Sequence, residues 1–370
     1  MNYKSILNLL GILLGIFSLS FIPPLILTYM YSESGGEVFL YSFLFFSIFG
    51  GAVWAATRQK NLPLNISDGF VVTTLFWVVL ACAGSVPFYF FGLSVSDAIF
   101  ESASGITTTG ATTIVGLDNL PKSILLYRQL LQWIGGMGLI VLAVAVMPAL
   151  GIGGGQLYKM ELPGSHGNQK LTPKITDSAK ALWKIYVGLT VACATLYLLS
   201  GMNVFDSIAH SLSTVAGGGF STHDGSIGFF DSALIEAVCI IFMLLSAASF
   251  AVHYAAIFGG KPLKYFYDSE FRFFLSVVLL IVVISLIVHI ISNSYADIFS
   301  AFGTTVFHVV STVTTSGFTT ENFSLWPGFL PYLLLVGAFM GACSQSVGGG
   351  IKAWRVLIMI NQAYKEILKT

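Results

Sequence analysis

Long apolar runs, broken by short polar links, dominate this chain. The first runs from about Ile6 to Met30 across Pro23-Pro24, and the second from about Val38 to Ala56, behind an acidic turn at Glu33 and Glu37. Each is long enough for a helix that crosses a bilayer, and the prolines predict a kink in the first. It continues past any signal-peptide length with no small-residue cleavage site, so it reads as a spanning helix. After a link holding Arg58, Lys60 and Pro63, the pattern becomes a unit that recurs three times. A long apolar helix is followed by a short helical segment, a run of small and hydroxyl residues, and a second long helix. The long helices are expected at about Gly69–Phe91 and Ser123–Leu150, Ala181–Ser200 and Ser232–Phe258, Phe271–Ile291 and Pro331 onward. The short segments are Val95–Ile106, Val204–Val215 and Phe299–Val313. A segment of ~12 helical residues spans ~18 Å, little more than half of a ~30 Å hydrocarbon core. Such segments dip in and return.

This predicts an all-α polytopic membrane protein with an N-terminal helix pair (1–68), repeat 1 (69–150), a cytoplasmic link (151–180), repeat 2 (181–260) and repeat 3 (261–370). The second long helix of repeat 3 breaks at residues 341–350. Ten residues, mostly Gly, Ala, Ser and Gln and ending in Gly348-Gly349-Gly350, cannot hold a lipid-facing helix. They form either a movable obstruction or a tight backbone crossing, and the obstruction is the favoured reading. Gly341, Ser344, Gln345, Gly348, Gly349 and Gly350 are its candidate residues.

The three loops align on Gly110, Gly219 and Gly317. Six residues before each glycine stands a serine (Ser104, Ser213, Ser311), and four before it a β-branched aliphatic (Ile106, Val215, Val313). Nine before it stands Glu101, His210 or His308. A helix that ends at mid-membrane points its carbonyls and partial negative charge there, which favours a cation. Extended backbone beyond it can replace an ion's hydration shell with carbonyl oxygens, and glycine frees the dihedrals this needs. Asp97 and Asp206, near the starts of the first two short helices, are expected as helix caps, with Thr304 at the matching place in the third. The shared register of Glu101, His210 and His308 invites a metal site, but hydrogen bonding to neighbouring elements is the expected role.

Composition agrees. The chain is 55% hydrophobic and 9% charged, with zero formal net charge, so no polyanion such as nucleic acid is implied as a partner. The four cysteines lie in apolar segments as packing residues. No motif of an enzyme is present; Gly151-Ile152-Gly153-Gly154-Gly155 lacks the lysine of a phosphate loop and ends a helix instead. With the N-terminus inside and the short segments re-entrant, every one of the 17 Lys and Arg except Lys122 and Arg128 lies on the cytoplasmic side. All but six of the 17 Asp and Glu (Asp68, Glu161, Asp177, Asp268, Glu270, Glu366) then lie on the outer side or in the short segments, giving an acidic outer mouth that concentrates cations.

These motifs resemble the Trk/Ktr/HKT superfamily of potassium transporters, in particular its TrkH/TrkG-like membrane subunits. The resemblance rests on Thr107–Thr112, Gly217–Thr222, Thr315–Thr319, Arg128–Gly138 and Gly341–Gly350, and covers essentially the whole chain. It implies a K⁺-channel-like pore of four helix–loop–helix repeats in one chain. The filter would be the backbone carbonyls of Ile106, Thr107, Thr108, Thr109 and Gly110; of Val215, Ala216, Gly217, Gly218 and Gly219; and of Val313, Thr314, Thr315, Ser316 and Gly317. K⁺ is expected at Thr107, Thr108, Ala216, Gly217, Thr314 and Thr315, with no organic cofactor, and the 341–350 loop as gate. Family members that accept sodium tend to carry serine at the position of Gly110, so glycine there implies potassium. A homodimer on a cytosolic nucleotide-binding regulatory subunit of the TrkA or KtrA type, in a bacterial inner membrane, is implied as well. Three of the expected four repeats are present up to Thr370, so the expectation is a truncated product, the last quarter coming otherwise from a separate polypeptide. A secondary Na⁺- or H⁺-coupled cation symporter and a non-conducting paralogue remain the alternatives.

Overall fold

The computed structural model describes residues 2–58, 66–145 and 175–369, and the chain divides into two compact units, Met1–Glu161 and Leu162–Thr370. Most of the expected 151–180 link lies outside the described residues. All regular structure among the described residues is helical. Five helical stretches there are long and apolar enough to cross a membrane: Tyr3–Tyr31, Gly36–Thr57, Ser67–Phe90, Lys180–Leu199 and Ser269–Ile291.

In the first unit, α1 (Tyr3–Ser18) passes through one 3₁₀ turn, Leu19–Phe21, into α2 (Ile22–Tyr31). Pro23 and Pro24 sit in the first turn of α2, where a missing N–H costs nothing, so the break falls just ahead of them. Then come α3 (Gly36–Thr57), α4 (Ile66–Phe90), α5 (Val95–Ile106) and α6 (Lys122–Ala145). α1 and α3 cross backbone to backbone: a methyl on Gly11 would lie 2.8 Å from Gly50 O. Phe21, Phe39, Phe88 and Tyr127 pack ring against ring in the centre, and the Tyr127 hydroxyl donates to Gly84 O (3.0 Å) in α4. The acidic turn has a defined task. Glu33 accepts from the backbone N–H of Lys122 (2.7 Å) and Ser123 (3.1 Å), neutralising orphan donors at the start of α6.

The second unit comprises α7 (Ile175–Leu199), α8 (Val204–Ala216), α9 (Ala233–Ala247), α10 (Phe250–Ile257), α11 (Lys264–Tyr267), α12 (Ser269–Ile291), α13 (Ile298–Val313), α14 (Leu330–Met340) and α15 (Ala353–Ile367). One expectation fails here. The helix predicted over Ser232–Phe258 is two helices, α9 and α10, bent by 102° at Ala248-Ser249. No proline or glycine marks that bend. Ser249 caps α10 by accepting from Ala251 N–H, and a tertiary partner described below takes the carbonyl left over at the end of α9.

Candidate functional site

The three short helices α5, α8 and α13 are 12, 13 and 16 residues long, roughly 18 to 24 Å at 1.5 Å per residue. Their caps differ from expectation. Ser94 and Asn203 are the N-caps of α5 and α8, accepting from the backbone N–H of Asp97 (3.2 Å) and Asp206 (2.9 Å). Asp97 and Asp206 stand three residues later, facing the positive end of the helix and bonded back to the capping side chain (2.6 Å each). α13 begins a turn earlier than its counterparts, with Asp297 as cap accepting from Ser300 N–H (2.7 Å), so Thr304 lies inside the helix and caps nothing. These corrections share one cause: the capping residue is the one with extended backbone, which side-chain type alone does not locate.

The other ends of these helices are built identically. The residue two before each aligned glycine (Thr108, Gly217, Thr315) has left-handed backbone, with φ of 55°, 64° and 61°. Its N–H donates three residues back, to Gly105, Thr214 and Thr312 (3.0–3.1 Å). The next N–H, of Thr109, Gly218 or Ser316, donates five back to the carbonyl of Ser104, Ser213 or Ser311 (2.9–3.0 Å). This is the Schellman termination. Gly110, Gly219 and Gly317 follow with φ of 78°, 77° and 84°. Left-handed residues therefore stand at alternate positions, and successive carbonyls need not point to opposite sides as they do along a strand. For a β-branched threonine this conformation is costly, about 1–3 kcal/mol, so Thr108 and Thr315 hold strain that glycine at 217 does not.

The polar residue nine before each glycine fastens the outgoing limb of its loop, with a chemistry particular to each repeat. Glu101, fully buried, accepts from Thr112 Oγ1 (2.9 Å) and Thr113 N–H (3.3 Å) and pairs with the equally buried Arg128 of α6, Nε to Oε1 2.7 Å. His210 donates from Nδ1 to Asp206 O and accepts at Nε2 from Ser221 Oγ, both at 2.9 Å. His308 donates from Nδ1 to Thr304 O (3.0 Å), and its Nε2 reaches the Thr320–Glu321 backbone. Ser311 Oγ, six before Gly317, donates to Phe318 O (2.7 Å). Among the described residues no group of three His, Cys, Asp or Glu could hold a metal.

In the second unit, loops 2 and 3 touch backbone to backbone: a methyl on Gly219 would fall on Ser316 O. The 341–350 loop backs both. Gly349 N–H donates to Thr315 Oγ1 (2.6 Å), and Val347 Cγ2 lies 3.6 Å from where a Gly217 Cβ would be. Its backbone is also tied to the α9–α10 bend. Cys343 N–H donates to Ala247 O, the carbonyl orphaned there, and Phe250 N–H donates to Gln345 O, both at 3.0 Å. Its ends fold together, since Gly350 and Gly341 approach so closely that neither has room for a side chain. The loop 1 residues Ile106–Gly110 belong to the first unit, where Gly135 of α6 admits the Ile106 carbonyl.

Four functional residues escaped the sequence reading. Arg128 had a visible signal, as a cation inside an apolar helix on the acidic side. Glu270, Ser249 and Lys352 had none, because their partners are backbone atoms, distant in sequence for Glu270 and exposed to Ser249 and Lys352 only where the chain bends or folds back. Glu270 accepts from the N–H of Ser344, within the 341–350 loop, and of Trp354 (3.1 Å), in the first turn of α15 that follows it. The Lys352 ammonium donates to the carbonyls of Gly348 and Ser346 within it.

Comparison with known proteins agrees with this architecture. Residues 35–369 match the family described as TrkH, cation transport protein. The chain is 46% identical to the Trk system potassium uptake protein TrkH of Vibrio parahaemolyticus over 99% of its own length and 77% of that protein's. Against TrkH of Escherichia coli K12 the identity is 45%, with the same coverage, and against TrkG of that organism it is 39%, covering 99% and 76%. The crystal structure of the potassium transporter TrkH from Vibrio parahaemolyticus superposes with a TM-score of 0.89 at 44% identity, covering all of this chain and 76% of that one. The chain is a multi-pass helical membrane protein and belongs to the TrkH family of cation transport proteins.

Proposed function

We propose that this chain is the K⁺-translocating subunit of a Trk-type uptake system. One observation carries the reading: three loops end their short helices with the same termination and the same alternation of left-handed residues. Backbone so arranged can offer carbonyls to a dehydrated cation, and each short helix turns its negative end towards its own loop. The site residues are the backbone carbonyls of Ile106–Gly110, Val215–Gly219 and Val313–Gly317. The gate is the Gly341–Gly350 loop, whose hydrogen bond from Gly349 N–H to Thr315 Oγ1 couples it to loop 3.

K⁺ enters from an acidic outer side and leaves past the gate to the cytoplasm, where the N-terminus lies. A cytosolic nucleotide-binding regulatory subunit and a second copy of the chain complete the assembly, in a bacterial inner membrane. Relatives named for potassium uptake support this choice of ion. The test is ⁸⁶Rb⁺ uptake in a bacterium lacking its own K⁺ uptake. Saturable uptake resistant to excess Na⁺ is expected from the chain in its native assembly, and Gly110→Ser should make it Na⁺-sensitive. Unchanged selectivity in that variant would remove the filter assignment.

A further inference from the structure

We propose that Lys352 is the latch of the 341–350 loop: its ammonium sits, as a tethered cation, on the carbonyls of Ser346 and Gly348, and must leave them before the loop can move aside. The inference rests on reading that loop as the gate, and it concerns how the gate is held. The loop is made of residues with almost no side chain to pack, so hydrogen bonds fix its shape. Those bonds follow a charge pattern. A carboxylate, Glu270, takes two backbone N–H groups, of Ser344 in the loop and of Trp354 in the first turn of α15. An ammonium, Lys352, takes two carbonyls between them, with Nζ to Ser346 O at 3.4 Å and a closer contact to Gly348 O.

Bonds with one ionised partner are the stronger kind, and each charge here meets the backbone partial charge that suits it. The backbone of Lys352 is strained besides. Its φ of 80° is rare outside glycine, and the structure holds it there directly after Gly350, at φ 83°, and Ile351. Freeing the side chain would let that strain relax and withdraw the loop. A lysine fits this task better than an arginine, because its compact point charge makes the same demand on clustered carbonyls as a small monovalent cation. Gly349 N–H, bonded to Thr315 Oγ1, carries the movement to the left-handed residue of loop 3.

Cys343 gives a readout independent of transport. It lies in the loop and is fully buried, so its thiol is reached only when the loop opens. In membrane vesicles holding the protein in its native assembly, N-ethylmaleimide labelling of Cys343 is followed by peptide mass spectrometry, alongside ⁸⁶Rb⁺ uptake. Lys352→Met should speed labelling about tenfold or more, the loss of a charge-assisted hydrogen bond, and Lys352→Arg, which keeps the charge but not its compactness, should speed it less than Lys352→Met does. Glu270→Gln, which weakens the carboxylate's hold on Ser344 and Trp354 and leaves the Lys352 side chain in place, should also speed labelling. If Lys352→Met does not yield folded protein, Lys352→Gln serves in its place. Equal labelling in wild type and the folded uncharged variant overturns the latch, whatever uptake does. Faster labelling with no uptake in any variant supports the latch and refutes the potassium-uptake reading instead.

Discussion

The pair Glu101–Arg128 permits a quantitative test of how loop 1 is held. Both side chains are fully buried, and the carboxylate also carries Thr112 and Thr113 of the outgoing limb. Glu101→Gln keeps the shape and one acceptor but leaves Arg128 as a buried cation without its counter-charge. Breaking a buried pair in this way costs about 3–5 kcal/mol. Spread over a unit of this size, that is a fall on the order of 10 °C in Tm. Arg128→Met alone leaves the carboxylate stranded and should cost about as much. The double variant Glu101→Gln/Arg128→Met should recover most of the loss, because replacing both members of a buried pair is often nearly neutral. Repeats 2 and 3 point the same way, since His210 and His308 fasten their limbs at this register with no Lys or Arg in α9 or α14, the helices that correspond to α6. The assay is thermal unfolding of the detergent-solubilised protein, followed as loss of the monodisperse species, across the four members of the cycle. If the two single losses simply add in the double variant, the pair is not the coupled clasp the geometry describes.

Further outcomes follow from other positions. Gly219→Ala should abolish uptake and lower the yield of folded protein, since φ is 77° and the added methyl falls on Ser316 O; normal uptake would show that loops 2 and 3 do not meet as described. Ser94→Ala should destabilise by about 1 kcal/mol, as loss of an N-cap does, and Asp97→Asn by less, about 0.3–1 kcal/mol; thermal unfolding reads the order, and a larger loss for Asp97→Asn would restore the aspartate as the cap. Asp297 titrates below the ordinary aspartate range because Ser300 donates to it from both backbone and hydroxyl. A lowered folded-state pKa means its contribution is present above the unfolded pKa, about 4, and is lost as pH falls through the folded value. Asp297→Asn should therefore flatten the acid limb of the stability profile, and an unchanged limb would exclude this cap as its source.

How much of this was legible beforehand depends on the range of each interaction. The sequence by itself determined the helical membrane class, three loops in one register and the break at 341–350, because apolar run length and clustered small residues act locally through the cost of exposing backbone to lipid. It also singled out Glu101, His210 and His308 together, since three polar residues at one register in apolar surroundings need partners. Only the tertiary structure decided who those partners are: Arg128 for one, Ser221 and the Glu321 backbone for the others. It alone bent the chain at Ala248, where Cys343 N–H takes up the carbonyl that a continuous helix would have used. It alone brought Glu270 onto the backbone of Ser344 and Trp354, more than seventy residues away. A backbone N–H or C=O looks the same at every residue, so a side chain that binds one at long range leaves no mark in the sequence until folding sets the two side by side.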